Sequence, residues 1–448
     1  RLHAYIRQEA HKGTHYFVLA GSWYDAHGCP ADGHITETRK ELTVTTPQAQ
    51  YKTNSKWGIP GIYTNPRNDA GTTNFDPGAK PCPSDLFYAC CDLPDGAKYP
   101  WDYGSYEDDF DGEGDGWYAN EPDNRIDLVP DVVVTRIGFI CGMTWRPGYE
   151  TLTMEDLVKG YREKVRKVES EDFAGRNRFA GAGASFSAEP GLTHGSTLRE
   201  EMEFYAGTDN TFDKRHKSYW LDTDYVVTLY LKDWFSRYLP ALHTEYISET
   251  TLPPWEPDWA TAVKNLHKQD WEIQTVMSHG SQGGSMSQVY INEYAQTATG
   301  LTKIFFAPFP CLMSYPDWSN VGNRSGTHKL THNHSMIENP TGGAAFTIGN
   351  TRSGWGGGII NRDCSVGDGL GDKMGGYFVK AYVRDRKNPG DAWLHMIQTY
   401  AAKGLGWSTG RWIVVIDQAL GDPLLETRFL SDYTWEGNTT GTDVWDLK

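Results

Sequence analysis

The stretch "IQTVMSHGSQGG", residues 273–284, decides how the rest of the chain is read. Ile273 to Met277 has the composition of a strand. The run stops at Ser278-His279-Gly280-Ser281, so the strand ends by presenting an imidazole next to a residue without a side chain. A second stretch, "KIFFAPFPC" (303–311), is another buried-strand pattern, and it ends on Cys311. His279 and Cys311 are 32 residues apart, room for one helix and a return strand. A parallel crossover makes the two strands neighbours or near neighbours and puts an imidazole and a thiol on one rim. That is the minimum for a cysteine nucleophile with a histidine partner. Gly280 leaves its N–H unobstructed for a developing oxyanion. Taken singly, a strand-end His caps a strand and a strand-end Cys packs a core; only the pair points to chemistry.

The surrounding chain fits an α/β architecture. "DLVPDVVVTRIGF" (127–139) is continuously apolar rather than alternating, as in a strand buried on both faces of a parallel sheet. Further strands are expected at 178–186, 271–278, 303–309, 343–349 and 411–417, and an early one in "HYFVLAGS" (15–22). Helices are expected from Leu2 to Lys12, at 195–206, 223–238, 257–268, 287–298 and 370–384, and in "TMEDLVKGYREKVRKVES". There Leu157, Val158, Tyr161, Val165 and Val168 share helical spacing, and Thr153 with Asp156 makes a capping-box start. This alternation predicts a mostly parallel sheet with helices on both faces. The expected organisation is an N-terminal α/β subdomain over 1–170, a catalytic subdomain over 171–430 with an insertion at about 207–260, and an extension over 431–448.

Composition excludes some partners. Across 448 residues the charge is −16, which repels phosphate, so neither nucleic acid nor an anionic membrane is an expected partner. There is no run of about 18 uncharged apolar residues, hence no expected transmembrane segment. The chain begins at Arg1 and reads as processed or trimmed. Seven cysteines leave at least one thiol unpaired within the chain, and none sits in a CxxC zinc pattern. Cys90 and Cys91, near Cys82, suit disulfides if the compartment is oxidising. Sequons at Asn323, Asn333 and Asn438 add modest support for an extracellular or cell-surface location.

The segment "DDFDGEGDGWYANEPD" (108–123) concentrates hard oxygen ligands. Asp111, Glu113 and Asp115, the turn-permitting Gly116 and the carbonyl of Trp117 follow the first half of a calcium loop. Position twelve is Pro122, so this is no EF-hand, but Glu121 stands beside it. Crowded carboxylates repel unless a cation is present, and a structural calcium is the expectation; a merely solvated acidic loop is the alternative. His328, His332 and His334 follow close after Cys311; His332 and His334 have ligand spacing, and inert histidines are the alternative.

Several blocks, in order, resemble the gingipain-type cysteine peptidases of the caspase/legumain clan: "HYFVLAGS", "PSDLFYACCD", "DDFDGEGDGWYAN", "IDLVPDVVVTRIGF", "EDLVKGYREKVRKVE", "MSHGSQGG", "IFFAPFPCLM", "ENPTGGAAFTIGNTRSGW" and "ALGDPLLETRF". They span residues 14 to about 430. The resemblance implies a caspase-like fold and peptide-bond hydrolysis. Cys311 would attack the scissile carbonyl, His279 would protonate the leaving amine, and the N–H groups of Gly280 and Cys311 would hold the oxyanion. Glu189, in "ASFSAEPG", is the candidate to orient the histidine, and Trp355 to line the pocket for the residue before the cleaved bond. Calcium binding is also common in such regions of the family. The family often has a small residue before the cysteine; here it is Pro310, which fixes φ and lacks an N–H.

Two functions follow from these residues. One is a secreted or cell-surface cysteine endopeptidase acting on protein or peptide substrates, with basic preference if acids such as Glu200 and Glu201 line its pocket. The other is an inactive relative serving as a scaffold or binder in an extracellular assembly. Resolution of the acyl-enzyme by an amine instead of water would make the enzyme a transpeptidase.

Overall fold

The computed structural model describes residues 2–20, 62–64, 82–91, 129–139, 151–176, 178–183, 243–248, 259–277, 280, 285–286, 289–290, 298–307, 310–314, 331–351, 354, 374–375, 377–378, 381–382, 385–404, 413–414, 416–427, 433–434 and 446–447. Glu189, His279, Trp355, the acidic-loop residues Asp111 to Glu121, and the expected helices at 195–206 and 223–238 lie outside this set.

Eight strands form one sheet: β1 (Tyr16–Ala20), β2 (Val133–Ile137), β3 (Arg178–Gly183), β4 (His243–Ser248), β5 (Trp271–Met277), β6 (Leu301–Ala307), β7 (Gly343–Asn350) and β8 (Asp417–Gly421). Their order is β1-β2-β8-β7-β6-β5-β3-β4. From β7 through β6, β5 and β3 to β4, every neighbour is parallel. β1 is parallel to β2, and β8 is antiparallel to β7. The sheet is therefore mixed and mostly parallel, as expected, and strands from both sides of residue 170 share it.

Helices α1 (Leu2–Ala10), α2 (Met154–Val168), α3 (Trp259–Leu266), α4 (His332–Glu338) and α5 (Pro389–Gly404) accompany it. Side chains alternate across a strand, so neighbours on β6 report on opposite faces. Phe306 stacks on Phe378 with centroids 4.6 Å apart, while Phe305 meets His332 of α4 at 4.5 Å. Both faces are thus covered, which is why β6 and β7 are buried almost throughout.

The capping box of α2 is present: Asp156 N–H donates to Thr153 Oγ1 at 3.2 Å, and Thr153 N–H donates to Asp156 Oδ2 at 2.9 Å. Its core face differs from the apolar spacing. Val158 is exposed, whereas Lys164 is buried. The Lys164 ammonium donates to the carbonyls of Met336, Ile337 and Ala344. It thereby satisfies carbonyls at the end of α4 that the helix itself leaves open.

Polar pairs pin the sheet further. Arg136 and Asp85 form a bidentate buried pair, Nε to Oδ2 at 2.8 Å and Nη2 to Oδ1 at 2.6 Å. Gln418 Nε2 donates to the same Asp85 at 2.9 Å, joining the "PSDLFYACC" block to β2 and β8. Across β5 and β6, Lys303 lies 3.3 Å from Glu272, which accepts from Tyr382 Oη at 2.7 Å.

Several expectations are corrected. The strand placed at 411–417 begins only at Asp417; Ile413, Val414 and Ile416 are buried in helical conformation, and an apolar run alone cannot separate the two. The start of the helix placed at 287–298 is extended, with Val289–Tyr290 paired to Ser285–Met286. Within the stretch 207–260, His243–Ser248 forms β4 at the edge of the sheet. Cys90 and Cys91 are fully buried in the core. The sequon at Asn333 is buried and unavailable to a glycan.

Candidate active site

β5, β6 and β7 run in parallel, so their carboxyl ends open on one rim, where ligands of such sheets bind. The segments leaving these ends carry Gly280, Cys311 and Gly354 respectively.

Gly280 and Cys311 are in contact. A Cβ built on Gly280 would stand 2.0 Å from the Cys311 carbonyl oxygen and 2.7 Å from its nitrogen. Only glycine lets the two backbones approach this closely. The structure therefore brings together the two strand ends that the sequence pairs, and sets the residue following His279 against the nucleophile candidate. The Cys311 thiol is partly exposed, and its Sγ lies 3.6 Å from the Gly354 carbonyl oxygen. Gly354 directly precedes Trp355.

The turn that carries Cys311 is unusual. Leu312 has φ of +61°, the left-handed region, which costs a branched L-residue about 1–2 kcal/mol. Such conformations persist where the surroundings over-determine them, and they cluster at functional sites. Here two asparagines do so. Asn350 Nδ2 donates to the Pro310 carbonyl at 3.3 Å, and the Asn350 carbonyl accepts from Ser314 N–H at 2.9 Å. From the other side, Asn333 N–H donates to the Met313 carbonyl at 3.0 Å, and Asn333 Nδ2 donates to Ser314 Oγ at 2.8 Å. Four bonds worth about 1 kcal/mol each outweigh the cost at Leu312. Gly349 makes room for this crossing, since a Cβ there would meet Asn333 Nδ2 at 2.4 Å. Pro310 is accommodated as a buried residue whose carbonyl is bonded.

A buried acid stands nearby. Asp417, opposite Asn350 across β7 and β8, accepts from Trp393 Nε1 at 2.8 Å. Burial pushes its carboxyl up to about 7, against the opposing effect of the Trp393 bond. His332, by contrast, is packed among aromatics 5.6 Å from the His267 ring. Burial holds both imidazoles down, His267 to about 4. Among the described residues no cluster of three or more metal-ligating side chains occurs.

Asn333, Asn350 and Leu312 were not among the sequence candidates. The one signal for Asn350 is its place, a polar residue closing an apolar strand within "AAFTIGNTRSGW".

No protein-family model matches the chain, and no curated protein matches it. Solved structures do. The Arg-specific cysteine proteinase gingipain R aligns with a TM-score of 0.52 at 10% identity, over 98% of this chain and 71% of that one. This is the gingipain fold. A complex of the pro- and mature domains of Porphyromonas gingivalis RgpB aligns similarly, with a TM-score of 0.53 at 10% identity, over 98% of this chain and 73% of that one. At this identity the likeness speaks for the gingipain fold alone. Among the described residues no helix is long and apolar enough to cross a membrane.

Proposed function

We propose that the chain is a secreted or cell-surface cysteine endopeptidase with Cys311 as nucleophile and His279 as its acid–base partner. The observation that carries this reading is the contact between Gly280 and Cys311 on the rim of a gingipain-type sheet. The Cys311 thiolate attacks the scissile carbonyl, and the C–S bond forms as the carbonyl oxygen takes the negative charge. The N–H groups of Gly280 and Cys311 hold that oxyanion. As the C–N bond breaks, His279 gives its proton to the leaving amine. Water, deprotonated by the same imidazole, then cleaves the thioester and frees the thiolate. Glu189 orients the imidazole, and Trp355 lines the pocket for the residue before the cleaved bond.

Cleavage after a basic residue is part of the proposal, supported by the Arg-specific name of the similar proteinase and by the acidity of this chain. So is a structural calcium held by Asp111, Glu113, Asp115, the Trp117 carbonyl and Glu121, an all-oxygen set of the kind calcium takes. The test is labelling by an acyloxymethyl-ketone probe bearing Arg or Lys, with calcium present, on wild type, Cys311→Ala and His279→Ala. An inactive relative acting as a scaffold would label in none of the three and leave Cys311 an ordinary thiol.

A further inference from the structure

We infer that Asn350 is a positioning residue for Cys311, fixing through the Pro310 carbonyl the direction in which the turn presents the thiol. The inference rests on the peptidase reading above and deepens it. Pro310 has no N–H, so its carbonyl is its one backbone hydrogen-bonding group. That carbonyl belongs to the peptide unit that leads directly into Cys311, and Asn350 Nδ2 bonds it at 3.3 Å. The same residue accepts from Ser314 N–H at 2.9 Å, so Asn350 spans the turn from one end to the other. Between these two anchors lies Leu312 with φ of +61°. Without the side-chain anchor, the Pro310 carbonyl loses this bond and the peptide unit leading into Cys311 is held less tightly, while the other three bonds of the turn keep Leu312 in place.

Asn350 is itself well fixed. Its strand ends in register with Asp417 of β8, and Asp417 accepts from Trp393 Nε1 at 2.8 Å, on α5. A buried helix is thus linked, through Asp417 and Asn350, to the backbone of the nucleophile. An amide serving only to satisfy a buried carbonyl would stabilise the fold and leave the thiol's behaviour alone. The two roles therefore separate by experiment.

The test compares wild type, Asn350→Leu and Asn350→Ala, first for cooperative thermal unfolding. Turnover of a peptide substrate is then measured, with the pH dependence of iodoacetamide alkylation followed on the Cys311-containing peptide by mass spectrometry. A positioning role predicts kcat lower by about 10- to 100-fold with KM within about twofold. It also predicts an apparent thiol pKa moved toward about 8.5. A folded variant with the kcat and alkylation profile of wild type overturns the inference. Failure of both variants to fold also overturns it, since Asn350 would then be a core residue only. Wild type distinguishes this from failure of the peptidase reading. If wild-type Cys311 alkylates as an ordinary thiol and nothing is cleaved, the peptidase reading falls. The inference is then judged on the alkylation rate constant, which must still change in Asn350→Leu for the anchor to stand.

Discussion

Gly280 packs against Cys311 so tightly that a methyl group on its α-carbon would lie 2.0 Å from the Cys311 carbonyl oxygen. Two loops leaving adjacent parallel strands are thereby held in one register, and the account of the site is built on that contact. Gly280→Ala has to push the backbones apart. The expected result is a folded protein destabilised by about 1–3 kcal/mol, with kcat/KM reduced about 100-fold because the nucleophile is displaced. Thermal unfolding and peptide turnover check both parts.

The Arg136–Asp85 pair is almost fully buried and is joined by Gln418. Asp85→Ala leaves a guanidinium without its partner inside the core. A loss of about 3–5 kcal/mol is expected from removing one member of a buried pair. Denaturant unfolding measures it, and Arg136→Ala should cost a comparable amount.

Asp417 should make the protein less stable as pH rises. Its carboxyl titrates near 7 when folded against an ordinary value of 3.8, so between these pH values the native state holds a proton that the unfolded state has lost. Stability then falls across that window, by up to about 4 kcal/mol from this group at pH 8. Asp417→Asn keeps an acceptor for Trp393 and removes the charge. The variant should gain stability over wild type at pH 8 and little at pH 4, as followed by thermal unfolding.

His267 acts in the opposite sense. It is held near 4 when folded against 6.5, so below pH 6.5 the unfolded state binds the extra proton and stability falls toward pH 4. The loss is about 3 kcal/mol from this residue, and His332 adds to it in the same direction. His267→Gln should flatten the acid limb of the stability profile.

Calcium should raise the melting temperature if the acidic loop binds it. At a hundredfold excess over its dissociation constant the stabilisation is about 2.7 kcal/mol. Glu113→Gln with Asp115→Asn should remove the response, and chelation should abolish it in wild type. An unchanged melting temperature with and without calcium would remove the ion from the account.

What the sequence made legible was whatever depends on local pattern. Continuous apolar runs marked β2, β5, β6 and β7, and Thr153 with Asp156 marked the start of α2. The meeting of the loops at Gly280 and Cys311 followed from strand order, which spacing restricts. Lys164 escaped this reading because its burial depends on carbonyls of a helix some 170 residues away. The roles of Asn333 and Asn350 escaped for the same reason: each bond joins segments whose proximity only the sheet creates. α5 was missed although Asp391, His395, Gln398 and Thr399 recur at helical spacing as its half-buried polar face.

The most direct test of the central claim is probe labelling. An acyloxymethyl ketone bearing Arg or Lys is incubated with wild type, Cys311→Ala and His279→Ala in calcium. The account predicts a covalent adduct on Cys311 in wild type and none in either variant. A wild-type thiol that stays unlabelled, and that alkylates with an ordinary pKa of about 8.5 whether or not His279 is present, would contradict it.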